Sequence, residues 1–233
     1  MLRFSSLVLA LALFSGCGED DPATVTDAGI DAGAVDVDQG VDAGIDMGGG
    51  TPMTFTLLNA GTTAMEGHTP RGFMGQGIGL FAGDNLNPRF PDGDGVHFFL
   101  SFDLSSLPEG TIESATLRSE NADVAGSPYM DLGNLNLEEI RYAAFSSALW
   151  NAPVVDGGHT CVFATSAAGP FACDVTPLVE SSRADAYGFA QMRMSLDTAG
   201  DNDGSQDLAL FFITDSNTNE PGIFELEVTV RVP

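Results

Sequence analysis

The residues able to do chemistry are few and unevenly spread: three histidines, three cysteines and one tryptophan, set among 33 acids. Asp201-Asn202-Asp203-Gly204-Ser205-Gln206-Asp207 puts oxygen donors at its first, third and seventh positions around a glycine turn. Hard oxygen donors so spaced suit calcium, although the loop lacks the fifth-position acid and the closing glutamate of an EF-hand. Asp92-Gly93-Asp94 is a second candidate of the same kind. Calcium at Asp201, Asp203 and Asp207, or at Asp92 and Asp94, would brace loops structurally; the alternative is a polar turn with solvated aspartates. His68, His97 and His159 are scattered without metal-ligand spacing, so each reads as a solvent-facing or hydrogen-bonded side chain. No Gly-x-Ser-x-Gly elbow, His-Glu-x-x-His helix or phosphate loop occurs. Paired carboxylates are uninformative in so acidic a chain, and a glycosidase needs two of them facing across a cleft. Catalysis is not expected. Trp150 offers a sugar-stacking face, with burial in the core as the competing reading. Tyr129, Tyr142, Tyr187, Arg71, Arg89, Arg118, Arg141 and Arg193 are alternative ligand contacts, since arginine holds an acidic sugar's carboxylate in a bidentate fork.

The remaining chemistry is sulfur, and its setting starts at the N-terminus. Arg3 and the apolar run from Leu7 to Phe14 form a stretch far shorter than the ~20 residues that span a bilayer. It reads as an export signal, residues 1–16. Leu13-Phe14-Ser15-Gly16-Cys17 resembles the lipobox of bacterial lipoproteins, with Phe14 where that pattern prefers leucine. The resemblance implies that Cys17 is acylated and becomes the mature N-terminus, each buried methylene adding about 0.8 kcal/mol to the anchor. Gly18 carries no inner-membrane retention signal, so the outer membrane or cell surface is the expected address. Export also bears on Cys161 and Cys173, twelve positions apart. Two cysteines in an exported domain most often pair, and a disulfide here would staple a short loop for about 3 kcal/mol. A reactive thiol pair or a metal site is the alternative, with His159 as the neighbouring partner.

Charge narrows the partners. The chain has no lysine and eight arginines against its 33 acids, and nine of those acids lie between Glu19 and Asp46. From Met47 to the C-terminus the chain carries 24 acids against seven arginines, a net charge of −17. Such a surface repels nucleic acid and anionic headgroups and attracts divalent cations.

The elements that must position these groups are strands. Residues 17–52 form an acidic tether of repeated Asp and Gly with isolated aliphatics, too few to make a core and unsuited to a helix. Residues 53–233 are long enough for one domain with a sizeable core. Phe224, Leu226, Val228, Val230 and Val232 alternate with Glu225, Glu227, Thr229 and Arg231, the period-two mark of a half-buried strand. Val96, Phe98, Leu100 and Phe102 alternate with His97, Phe99, Ser101 and Asp103, so both faces are partly apolar, as in a central strand. Further strands are expected at 54–60, 76–82, 111–119, 135–142, 160–165, 187–196 and 207–214, separated by Gly/Pro/Asp turns. One short helical turn follows Thr176, with Pro177 at its start. The expected fold is all-β: a jelly-roll-like β-sandwich of about nine strands.

Phe102-Asp103-Leu104-Ser105-Ser106-Leu107-Pro108-Glu109-Gly110, with Ile112 and Ser114-Ala115-Thr116-Leu117-Arg118, resembles the signature of DNRLRE-type domains. These are sandwich modules of surface proteins related to carbohydrate-binding module family 96. Leu149-Trp150-Asn151-Ala152-Pro153, Asp174-Val175-Thr176-Pro177-Leu178-Val179, and Pro221 before Leu226 and Val228 occur in the family's order. The string that names the family is missing. The resemblance implies a non-catalytic domain that binds or organises extracellular polysaccharide or matrix, with Trp150 in a packing motif. The alternative is a structural or adhesion protein that recognises another protein.

Overall fold

Alternating apolar residues become paired antiparallel strands in the computed structural model, which describes residues 49–72, 76–86, 95–120, 122–201, 203–212 and 223–233. Contacts divide the chain into Met1–Ile45, outside the described residues, and Asp46–Pro233. In the latter the strands are β1 (Thr51–Leu58), β2 (Gly67–Pro70), β3 (Leu80–Asp84), β4 (Val96–Asp103), β5 (Thr111–Ser119), β6 (Asp123–Ala125), β7 (Leu135–Glu139), β8 (Thr160–Ala164), β9 (Phe171–Asp174), β10 (Phe189–Leu196), β11 (Asp207–Phe212) and β12 (Glu225–Val232). The smaller sheet runs β1-β12-β5-β9; the larger runs β6-β11-β3-β4-β10-β7-β8, with β2 on β4.

With β2, β3, β6 and β11 set aside, the remaining strands in chain order read first-eighth-third-sixth in one sheet and second-seventh-fourth-fifth in the other. Every connection between successive members of that set crosses the sandwich except β7 to β8. That interleaving is the jelly roll. The larger sheet extends it by β2, β3, β6 and β11.

Strand parity fills the space between the sheets. Leu226, Val228 and Val230 of β12 are fully buried against Phe98, Leu100 and Phe102 of β4 and Met192 and Met194 of β10. Phe98, Phe163, Phe211 and Phe224 interlock at one end, with the rings of Phe211 and Phe224 4.9 Å apart. β4 is buried on both faces, as its sequence leads one to expect: Phe98, Leu100 and Phe102 pack into the core between the sheets, and Phe99 packs outward with Ile140, Tyr142 and Phe145. At the sandwich edge Cys161 of β8 and Cys173 of β9 form a disulfide, which ties the larger sheet to the smaller one.

Two features differ from the expectation. Among the described residues there are twelve strands rather than nine, the additions being the short β2, β6 and β9. Helix is also more abundant: α1 (Pro128–Asp131), a 3-10 turn at Ser147–Asn151, and α2 (Thr176–Ala184). The turn after Thr176 grows to nine residues because Leu178, Val179 and Ser182 share a buried face. Asp174 starts it, accepting hydrogen bonds from Thr176 N–H at 2.9 Å and Thr176 Oγ1 at 2.6 Å. Among the described residues no helix is long and apolar enough to cross a membrane.

Candidate functional site

The outer face of the larger sheet is where polar strand residues collect. Register sets Ser195 of β10 opposite Asn136 of β7, and Arg193 opposite Glu138. On the other side of β7, Asn136 faces Val162 of β8 and Glu138 faces Thr160. Side chains at directly opposite positions share a face, so Ser195-Asn136-Val162 and Arg193-Glu138-Thr160 form two rows. Ser195, Asn136, Val162, Glu138 and Thr160 of these rows line an open groove of about 620 Å³, together with Asp197 beyond the end of β10. Val162 is 51% exposed on its floor.

The groove is stiffened by its own hydrogen bonds. Asp197 accepts from Asn134 N–H (2.8 Å) and from Asn136 Nδ2 (2.6 Å). Those bonds, the Asn134 backbone first, hold its carboxyl below the usual range, so it is ionised at neutral pH. Glu138 Oε2 takes both Nε and Nη2 of Arg193, at 2.8 and 2.6 Å.

On the same sheet face, β4 is covered. Residues 141–152 fold back over it, and Phe99, although it points away from the main core, is fully buried with Ile140, Tyr142 and Phe145. The cover is fastened at three points. Phe145 N–H donates to Ala64 O (2.8 Å) and Tyr142 Oη to Met65 O (2.7 Å). Arg193 Nη1 donates to the carbonyls of Trp150 and Ala152, both at 3.1 Å, so one guanidinium bounds the groove and clamps the cover.

Trp150 lies in this cover, 6% exposed, with His97 stacked on it at 3.6 Å and the Arg71 guanidinium 5.8 Å from its ring. It packs rather than presents a platform. Burial, then the charges of Arg193 and Arg71, push His97 down to about 3. Burial likewise lowers His68 to about 4, its Nδ1 2.9 Å from Gly79 O. Each histidine is half-buried and packed against an aromatic ring, His68 on Phe81 and His97 on Trp150.

The other sequence candidates are dispersed. Tyr142 is buried, and the single Tyr187 hydroxyl proton is shared between two acceptors, Tyr142 O (2.8 Å) and Gln191 Oε1 (2.5 Å). Burial pushes Tyr129 up to about 12. Arg118 pairs with Glu227 at 3.1 Å, and Arg141 with Asp185 at 2.6 Å. Arg89, Asp92, Asp94 and Cys17 lie outside the described residues.

Asp201 and Asp203 are exposed, each folded onto its own loop: Asp201 Oδ1 accepts Asp203 N–H (3.2 Å) and Asp203 Oδ1 accepts Ser205 N–H (2.6 Å). Asp207 instead begins β11 and is 2% exposed, directly opposite Asp84 of β3 in register. Its Oδ1 accepts Ser127 N–H at 2.5 Å, and its buried Oδ2 has no hydrogen-bond partner.

Sequence reasoning passed over Asn136, Glu138, Thr160, Val162, Ser195 and Asp197. For Asn136, Glu138 and Ser195 the signal was present as the polar half of the alternation in β7 and β10. No protein-family profile and no curated protein matches the chain.

Proposed function

We propose that this chain is a non-enzymatic envelope lipoprotein, anchored by acylated Cys17 and spaced from the membrane by its acidic tether. Its sandwich binds extracellular polysaccharide in the groove across β10, β7 and β8. The observation that carries this reading is the uncovered polar grid of Asn136, Glu138, Thr160, Ser195 and Asp197, which offers side-chain donors and acceptors at strand spacing. The resemblance to DNRLRE-type domains points the same way.

Groove chemistry favours a neutral, hydroxyl-rich glycan. Asp197 and Glu138 bring carboxylates, and Arg193 beside them is committed to Glu138 and to two backbone carbonyls. An anionic sugar would meet like charge without a free arginine fork.

Calcium is part of the proposal as a structural ion. Asp207 fits it, since a buried carboxylate oxygen without a partner is a hard ligand. Asp201 and Asp203 lie on the adjoining loop.

Glycan arrays probed with the purified protein, with and without calcium, test the binding. Neutral polysaccharides should be retained and acidic ones not. Retention of no glycan in either condition overturns the reading and favours an envelope protein that recognises other proteins. Calcium should raise the melting temperature of the wild type and not that of Asp207→Asn.

A further inference from the structure

Beside the cross-sheet disulfide stands a third donor for a soft metal. His159 lies two residues before Cys161, and its backbone is pinned to the end of β7. Its N–H donates to Glu139 Oε2 (3.0 Å) and its carbonyl accepts from Glu139 N–H (2.9 Å). So held, an imidazole nitrogen of His159 and the sulfurs of Cys161 and Cys173 all lie within 4.8 Å of one another. His159 Nε2 is buried and makes no hydrogen bond. Buried polar atoms are nearly always partnered, and one that is not calls for a reason.

Two thiolates and an imidazole are a donor set for zinc, whereas calcium and magnesium take oxygen. We infer that reduction of the Cys161–Cys173 disulfide opens a zinc site built from His159, Cys161 and Cys173. A dithiol reductant delivers two electrons and two protons to the sulfur–sulfur bond and is itself oxidised to a disulfide. As zinc binds, the two thiols release their protons to solvent and His159 Nε2 contributes its lone pair. Water takes the fourth position. In the oxidised protein neither sulfur carries a thiolate, and a lone imidazole holds zinc poorly. The same three residues thus fasten the two sheets by sulfur in an oxidising medium and by metal in a reducing one. This rests on geometry at the sandwich edge and does not depend on glycan binding.

Cobalt(II) titration of the chain carrying Cys17→Ala, reduced with a phosphine, tests it, because only these two of the three cysteines then remain. Circular dichroism taken before and after reduction tracks the sandwich. One cobalt per chain should bind with a thiolate-to-metal charge-transfer band and the intense visible bands of tetrahedral coordination, and zinc should displace it. The oxidised protein should show neither band. His159→Ala should weaken binding tenfold or more. The proposal is overturned if the reduced chain gives no charge-transfer band, if His159→Ala binds as tightly as the wild type, or if the reduced chain unfolds and metal does not restore it.

Discussion

One sheet face has two fates in this protein. Over β4, the outward Phe99 is sealed beneath Ile140, Tyr142 and Phe145, and His97 is stacked against Trp150 of the cover. Over β7 and β8, the outward Asn136, Glu138, Thr160 and Val162 border an open groove. Arg193 stands on the boundary and bonds to both sides, to Glu138 in the groove and to the carbonyls of Trp150 and Ala152 in the cover. What separates the halves is the connection from β7 to β8, which doubles back over β4 instead of lying on its own hairpin. A face of a sheet is therefore a core or a site according to what the loops bring to it.

Energetics should mirror that division. Phe99→Ala removes a fully buried ring and should cost about 3–5 kcal/mol in denaturant unfolding. Val162→Ala in the open half should stay within about 0.5 kcal/mol. Equal costs would erase the distinction.

Acid should act on the covered half. His97 and His68 are held neutral, at about 3 and about 4 against an ordinary 6.5, so below pH 6.5 the unfolded chain takes up their protons before the folded one. Stability is then complete above pH 6.5 and falls as pH drops toward those folded values, by about 1.4 kcal/mol per pH unit for each histidine. Guanidinium midpoints at pH 7 and pH 5 measure the slope. His97→Phe, which keeps a ring on Trp150, should roughly halve it. A midpoint unchanged between the two pH values would show that the cover admits water.

The smallest stability effect belongs to the groove. Asn136→Ala with Ser195→Ala should shift unfolding by under about 1 kcal/mol, since both sites are partly open to solvent. Glycan affinity should nevertheless fall at least tenfold. Unchanged affinity would move the binding site off this face.

Much of the scaffold was legible because alternation is a local property. The run from Phe224 to Val232 announces β12, and the double-sided run from Val96 to Asp103 announces a central strand. β2 was not legible. It is four residues long, begins at Gly67 with φ of 140° and ends in proline, so it has no alternation to read. β6 and β9 were missed for the same brevity. Trp150 shows the limit differently: a sugar-stacking face and burial both suited its sequence, and stacking on His97 and contact with Arg71, from distant parts of the chain, decide for burial. Asp207 was chosen for its place in an acidic loop, and it is also the first residue of the strand expected from position 207. Register with Asp84 sets it apart from Asp201 and Asp203.

Residue order alone determined the strand faces, the cysteines available for pairing, and a charge balance that disfavours anionic partners. Each of these is written within a few neighbouring residues or in the composition. Only the folded chain decided which polar row stays open, which histidines lose their protons, and that His159 stands beside the disulfide. Those outcomes depend on desolvation and on contacts between segments far apart in sequence, and both arise only when the two sheets close on each other.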